Sequence, residues 1–379
     1  MKIVLAPNAF KGSLDSTSAA AVMGQGVRAV VPDCETVEKP IADGGDGLFD
    51  VLGQVMGGDK IAVQVTGPLF ETVTAEYLYV PAEKTAIVEM ARASGLALLA
   101  PAERNPMAAT TLGTGELARH AIERGAEKVV VGIGGSATND GGMGFAAAFG
   151  AKFLDSRGRE LEPVGGNLGR VARIDLSPVP DAARAAVFDA VCDVDNPLCG
   201  ERGAAAVFGP QKGATPEMAK ELDAGLANLA ACIRDGLGKD VLDLPGAGAA
   251  GGLGAGLKAF FDAALRPGVE VVMDLVHLDE ALSGADLVFT AEGAIDFQTA
   301  FGKGPAGVAS RARKAGIPCI AVAGSVADGI DNLIAIGMNA AFSLCPGPIA
   351  LEKAIADAPG LLRNATAMAF RAFLAGRGY

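Results

Sequence analysis

The residues best placed to do chemistry in this sequence are carboxylates, hydroxyls and lysines spaced through glycine-rich loops. The longest such loop is Gly132-Ile133-Gly134-Gly135-Ser136-Ala137-Thr138-Asn139-Asp140-Gly141-Gly142-Met143-Gly144, directly after the apolar run Lys128-Val129-Val130-Val131. Glycines such as Gly134 and Gly135 let backbone approach a ligand closely, and successive N–H groups can form an anion-binding nest. Ser136 and Thr138 add hydroxyl donors, and Asp140 is a candidate to hold a cation. The plain structural alternative is a turn in which Asn139-Asp140-Gly141 supplies positive φ.

Four further segments have the same character. In Asp43-Gly44-Gly45-Asp46-Gly47, two carboxylates three residues apart precede a helix. That suits Mg²⁺, which takes a few carboxylates together with water and phosphate oxygens; Asp46 would serve equally as a helix cap. Asp193-Val194-Asp195-Asn196-Pro197-Leu198 is followed by Phe208-Gly209-Pro210-Gln211-Lys212-Gly213. A carboxylate at a strand end can accept a proton from a substrate hydroxyl, and Lys212 can neutralise phosphate charge. A solvent-facing Asp beside a turn proline is the alternative there. The segment 246–254 is almost bare of side chains, so its backbone should lie against a ligand or another backbone. Lastly, Glu292-Gly293-Ala294-Ile295-Asp296-Phe297-Gln298-Thr299 and Gly302-Lys303-Gly304-Pro305 join a strand to a Pro-started helix. A helix N-terminus beside Lys303 favours an anion. Lys11, in the loop after the first strand, is a second such cation, and with Ser13 it can grip a carboxylate.

Several classes are disfavoured. With two histidines, His120 and His277, in unrelated contexts, a zinc site or a Ser-His-Asp triad finds few candidates. No G-x-x-x-x-G-K-[ST] loop occurs, so this is no P-loop protein. A partial dinucleotide fingerprint, Gly132-x-Gly134-x-x-Ala137 with Asp155 downstream, makes an NAD(P)-dependent dehydrogenase the best rival from another class. Against it, the helix should begin inside the fingerprint, where Asn139-Asp140-Gly141-Gly142 intervenes. A non-catalytic nucleotide-binding protein is the other rival. The net charge of −12 and the lack of a basic stripe argue against nucleic acid. The six cysteines form no C-x-x-C pair, which points to a reducing, cytoplasmic setting. No apolar stretch is long enough to suggest a membrane span. Many acids, a few loop lysines and no evident nucleophile fit phosphoryl transfer, which needs positioning, a metal, cations and an acceptor-side base.

These loops need a scaffold, and the pattern supplies an α/β one. Residues 2–6 read as a buried strand, with a helix starting near Asp15 or Ser16. A second strand is expected at 37–42, followed by a helix with the stripe Leu48, Val51, Leu52, Val55. The end of the chain repeats this grammar with strands at 286–290, 318–323 and 340–344 and a helix from Pro305 to Gly316. The clearest helix is 216–237, with Thr215 as cap and Pro216 in its first turn. Alternation in 60–65 and 77–80 suggests antiparallel strands with one wet face. At 379 residues, two domains are the default. The expected architecture is a Rossmann-like parallel-sheet domain made by both chain ends (1–60 plus 280–379), with a second α/β domain (61–279) inserted.

In their order along the chain, APNAFKGSL (6–14), IADGGDG (41–47), VTGPL (65–69), LGTGEL (112–117), GIGGSATNDGGMG (132–144), CDVDNPLCG (192–200), FGPQKGA (208–214), PGAGAAGGLG (245–254) and EGAIDFQTAFGKGP (292–305) resemble the bacterial two-domain glycerate kinases. The resemblance runs from the first strand to near the C-terminus. It implies ATP and Mg²⁺ as cofactors, D-glycerate as acceptor and 2-phosphoglycerate as product, with 3-phosphoglycerate the alternative. It also implies a site in the cleft between two α/β domains, in a monomer or homodimer. On this basis Asp193 is the general base at the glycerate hydroxyl, with Asp296 its rival and Lys11 beside them. Ser13, Asp43, Asp46, Asn196 and Lys303 face the substrate. Gly134, Gly135, Ser136, Thr138, Asn139 and Lys212 hold the nucleotide, and Asp43, Asp46 and Asp140 are the metal candidates. Where many members of the family carry Arg and Ser, this chain has Ala294 and Phe297, a departure that bears on acceptor specificity.

Overall fold

The computed structural model of the chain describes residues 1–42, 48–300 and 303–378. It is an α/β protein of two compact units, Met1–Met56 with Gly268–Tyr379, and Gly57–Pro267.

The chain opens with β1 (Lys2–Pro7), whose residues from Ile3 onward are buried, and the helix Ser16–Arg28. Asp15 caps that helix by accepting the Ser18 N–H at 2.7 Å. The second strand, β2, forms at Glu35–Glu38, earlier than the apolar pattern at 37–42 suggested. Its register is set by pairing with β1 from Lys2↔Glu35 to Leu5↔Glu38, so the neighbour rather than local hydrophobicity decides where it begins. The helix Leu48–Met56 ends this first passage.

The second unit follows. Strands β3 (Asp59–Thr66), β4 (Thr72–Val80) and β5 (Thr85–Glu89) are antiparallel neighbours. After the helix Leu112–Glu123 comes β6 (Lys128–Gly132), then the small hairpin β7 (Lys152–Leu154) and β8 (Arg173–Asp175), then β9 (Val187–Val191) and β10 (Ala264–Arg266). The main sheet has the order β10-β9-β6-β5-β4-β3, and β5, β6, β9 and β10 run parallel. Val129, Val130 and Val131 of β6 are fully buried, as a central parallel strand covered on both faces requires. Strand β3 lies at the edge and keeps the expected wet alternation. Thr215 Oγ1 caps the helix Pro216–Leu237 by accepting the Met218 N–H at 3.2 Å. Phe145, Phe149, Phe188 and Phe261 pack edge-on or tilted in the core, with Phe188 and Phe261 4.9 Å apart.

The chain then returns through β11 (Leu287–Ile295), β12 (Cys319–Val326) and β13 (Met338–Ser343). With β1 and β2 these form an all-parallel sheet of order β13-β12-β11-β1-β2. Strand β11 extends well beyond the expected 286–290. Its end lies flat on β12 because Gly324 has no side chain to strike the Gly293 carbonyl. The helix Gly304–Ala315 ends on Gly316 in the left-handed region, as its sequence requires. Among the described residues, no helix is long and apolar enough to cross a membrane.

Arg311, on that helix, is an anchor of this unit. Its guanidinium is 8% exposed and meets Glu270 at 2.6 Å, Asp274 at 2.7 Å and Asp279 at 3.2 Å. It thereby ties three helices together. Replacing it removes the partner of three carboxylates that can still reach water. Arg311→Met is therefore expected to destabilise the protein by about 2 kcal/mol, less than for a fully buried cluster, as urea denaturation would register.

Candidate active site

In the second unit the candidate loops follow adjacent parallel strands. Gly132 of β6 pairs with Val191 of β9, so the glycine loop and the Asp193 segment leave the sheet side by side at its carboxyl edge. That edge is where ligands of α/β sheets bind. Asp193 is exposed, two residues past the strand. Asn196 donates its Nδ2–H to the Arg202 carbonyl at 2.8 Å, and its own carbonyl accepts the Gly248 N–H at 3.0 Å. Asp195 is held by Arg202 at 2.9 Å.

The glycine loop divides into two parts. Gly134 and Gly135 are exposed, Gly135 has φ +69°, and Ser136 is nearly covered. The loop is pinned to the 94–96 segment by Ala137 N–H to Ser94 O at 3.0 Å and Leu96 N–H to Gly135 O at 2.8 Å. Beyond that point it plunges inward, and Thr138, Asn139 and Asp140 are fully buried. The bare 246–254 segment explains how. Ala250, Gly251 and Gly252 all adopt positive φ at the start of the helix Ala249–Phe261. A Cβ on Gly251 would strike the Thr138 carbonyl, and Gly141 donates its N–H to Gly251 O at 3.0 Å. This segment therefore packs against backbone, one of the two alternatives its composition left open.

Asp140 is fully buried and heavily hydrogen-bonded. Its Oδ2 accepts the Thr111 N–H and Oγ1–H, both at 2.8 Å, and the Gly144 N–H at 3.1 Å, while Oδ1 accepts the Gly142 N–H at 3.0 Å. With three donors on Oδ2 and one on Oδ1 of a fully buried carboxylate, Asp140 holds the fold of the loop. The helix Met143–Ala147 starts only after Gly142, which stands in the left-handed region. A dinucleotide fingerprint needs its helix earlier, and the arrangement disfavours that rival.

Lys212 is also inside: it is 1% exposed, and its Nζ donates to the Thr138 carbonyl at 2.7 Å. Sequence alone makes it a loop lysine able to neutralise phosphate charge. Burial pulls its pKa down from the ordinary 10.5 to about 7, with the negative charge of Asp140 opposing. Burial likewise pushes the Asp140 carboxyl up, against its four hydrogen bonds.

In the first unit the sheet order reverses direction between β1 and β11, which makes a crevice at their carboxyl ends. Asn8 donates its N–H to Ala291 O at 2.7 Å there. The following turn closes by Phe10–Leu14 pairing, with exposed Lys11 and Gly12 at its tip. Ser13 Oγ donates to Ile355 O at 3.0 Å, which engages its hydroxyl with backbone. A Cβ built on Gly293 would lie 4.0 Å from the Lys11 nitrogen, so this turn sits beside the end of β11. Asp296 follows, its Oδ1 accepting the Thr299 N–H at 3.1 Å, and Lys303 precedes the helix Gly304–Ala315 in extended conformation. The residues that sequence reasoning passed over are Glu292 and Thr299. Both are buried, and the Thr299 hydroxyl donates to Glu292 Oε1 at 2.9 Å. Their seven-residue separation across a strand end carries no recognisable spacing.

Asp43 and Asp46 lie outside the described residues. Among the described residues no group of three or more His, Cys, Asp or Glu side chains is arranged around a common metal position. Mg²⁺ rarely needs such a cage, because phosphate and water complete its shell. A cavity of 350 Å³ lined by Glu71, Glu116, Arg119 and His120 contains none of the expected residues.

Lys212 gives a pH-dependent signature. The unfolded chain keeps the Lys212 proton up to about pH 10.5, whereas the folded chain keeps it only to about 7. Between those values the unfolded state binds the extra proton, so stability rises with pH. Lys212→Met lacks this group. The parent's stability relative to the variant is expected to climb with pH above about 7, by up to roughly 1.4 kcal/mol per pH unit. Chemical denaturation of both proteins at several pH values measures the slope, and a flat difference would contradict the lowered pKa of the buried Lys212 amine.

Comparison with known proteins adds to this geometry. The family model described as "Glycerate kinase family" matches residues 3–374. A glycerate kinase of Halalkalibacterium halodurans is 46% identical over 363 residues, covering 96% of each chain. The glycerate 2-kinase of Escherichia coli is 43% identical over 358 residues, covering 94% of each chain. A crystal structure assigned as glycerate kinase 2 of Salmonella typhimurium LT2 matches with a TM-score of 0.87 and 44% identity over the whole of both chains. Strand-end loops of the kind described above thus sit in a sequence matched nearly end to end, and the chain belongs to the glycerate kinase family.

Proposed function

We propose that this protein transfers the terminal phosphoryl group of ATP to D-glycerate and releases 2-phosphoglycerate. The observation that carries the reading is the family match over residues 3–374, within which a relative 43% identical is a glycerate 2-kinase. The local chemistry supports it. Two exposed glycines, Gly134 and Gly135, the second at positive φ, lie at the carboxyl edge of a parallel sheet and offer backbone N–H groups to phosphate oxygens. Asp193 leaves the neighbouring strand and is exposed, as a base that must reach a substrate hydroxyl has to be.

In this reading Asp193 accepts the proton of the glycerate hydroxyl as that oxygen attacks the γ-phosphorus. Lys11 and Lys303, near the crevice between β1 and β11, supply positive charge for the acceptor carboxylate or the transferring group. Asp296 is the alternative base, oriented by the Thr299 N–H. Asn196 faces substrate from the segment after β9. Asp43 and Asp46 would hold Mg²⁺, which when bound would offset negative charge on the phosphate groups.

The direct test is ADP formation with ATP, Mg²⁺ and D-glycerate, against L-glycerate, glycerol and no acceptor. Coupling the product to enolase without a mutase is expected to give immediate turnover; turnover only after mutase is added would instead make the product 3-phosphoglycerate. Asp193→Asn is expected to lower kcat by roughly 10²–10⁴-fold with little change in KM for ATP. Near-parental turnover in the folded variant would transfer the base assignment to Asp296.

A further inference from the structure

Glu292 is 6% exposed, Thr299 is fully buried, and the Thr299 hydroxyl donates to Glu292 Oε1 at 2.9 Å. A buried carboxylate is costly to a fold, and two apolar side chains of the same shape would fill the place about as well. The pair therefore calls for a reason beyond stability, and the bonds around it supply one. Thr299 Oγ1 also accepts the Asp296 N–H at 3.1 Å, and the Thr299 N–H is donated to Asp296 Oδ1 at 3.1 Å. A hydroxyl has one proton to give. Oγ1 lies 2.9 Å from Glu292 Oε1 and 3.4 Å from Asp296 Oδ1, so Glu292 takes that proton. The lone pairs of Oγ1 then face the Asp296 N–H. The direction of the chain from Asp296 N–H through Thr299 O–H to Glu292 is thereby set.

The two carboxylates stand on different supports. Glu292 belongs to β11 and pairs with Ala323 of β12. The strand runs on through Ala294↔Ser325 and Ile295↔Val326, and Ile295 is fully buried. Asp296 is the first residue beyond the strand and is half-buried. Phe297, next along, is 59% exposed, so the turn is held from inside by Thr299 and not by its aromatic ring. The Lys11 turn lies against Gly293, between Glu292 and Asp296 in sequence.

We propose that Thr299 is a positioning residue for phosphoryl transfer: it ties Asp296 to Glu292, so that a carboxylate carried by a rigid strand sets the direction of one carried by a loop at the crevice between β1 and β11. The inference rests on the phosphoryl-transfer reading above and adds Thr299 and Glu292 to it. Asp296 meets the reacting groups, and the other two act through it.

The test compares kcat and KM of the whole protein for Thr299→Val, Thr299→Ser, Asp296→Asn and the double variant Thr299→Val/Asp296→Asn. Thr299→Val keeps the shape and loses the hydroxyl. It is expected to lower kcat with D-glycerate by roughly 10–100-fold, as misplacement of a reacting group does, with KM for ATP little changed. Thr299→Ser retains the hydroxyl and should recover most of that loss. Asp296→Asn keeps an Oδ1 acceptor for the Thr299 N–H but loses the charge, and should lower kcat at least as far. Adding Thr299→Val to it should cost less than about threefold more, because residues that act as a unit do not add. Should Thr299→Val not fold, Thr299→Ala takes its place in the same cycle. A threonine that only supports the fold would give multiplied losses in the double variant. That result overturns the inference, as does failure of Thr299→Ser to recover, or parental kcat in either folded Thr299→Val or Asp296→Asn. A parent without acceptor-dependent ADP formation fells the phosphoryl-transfer reading and this inference together, whereas an active parent with multiplied losses fells this inference alone.

Discussion

A fully buried carboxylate is tolerated only where its oxygens are satisfied, and Asp140 meets that condition with four donors. Much of the glycine loop depends on it. Thr111, which supplies two of the donors, accepts the Phe145 N–H on the same hydroxyl at 2.8 Å, so the loop, the start of the helix Leu112–Glu123 and the helix Met143–Ala147 are tied at one point. Nothing larger than glycine fits where the 250–252 turn meets Thr138 and Gly141. The result is a loop rigid at its inner half and exposed at Gly134 and Gly135, which suits a site that must present backbone N–H groups in fixed directions.

The two units reach comparable ends by different routes. In the first, a reversal of strand order between β1 and β11 opens a crevice; Glu292 lies near the end of β11, and the loops after the two strands carry Lys11 and Asp296. In the second, β5, β6, β9 and β10 follow one another without reversal. The loops after β6 and β9 come together because the strands are hydrogen-bonded neighbours. Parallel sheets place all such loops at one edge, so residues some sixty positions apart in sequence, Gly134 and Asp193, share a surface by construction.

What was legible in the sequence was whatever local spacing encodes. The valine run of β6, the Thr215–Pro216 start of the long helix and the antiparallel pairing of β3 with β4 appear as expected, but the 77–80 segment is buried on both faces instead of keeping one wet. Strand β2 and the end of β11 were displaced because partner strands, not their own hydrophobicity, set their limits. The site divides in the same way. Glycine runs and exposed acids announced the loops, but the roles inside them depend on contacts over long separations. The hydrogen bonds that bury Asp140 were hidden because Thr111, 29 residues away, leaves no mark on its neighbourhood. Nothing in the Pro-Gln-Lys-Gly turn signals that Lys212 is buried, which its 1% exposure and 2.7 Å bond to Thr138 show.

The charge balance sharpens what those buried cations mean. A chain of net charge −12 repels anionic substrates at long range, but salt limits that repulsion to about 8 Å. Inside that distance only local groups matter, and the protein places few of them. Lys11 stands at the surface, hydrated and weak as a single charge, whereas Lys212 has surrendered its water. Burial disfavours the charged form of Lys212 and draws its pKa down to about 7, but in a medium of low dielectric each interaction it keeps is stronger than the same contact in water. Its 2.7 Å bond to the Thr138 carbonyl therefore joins the 210–212 turn to the inner half of the glycine loop far more firmly than a surface lysine such as Lys11 could.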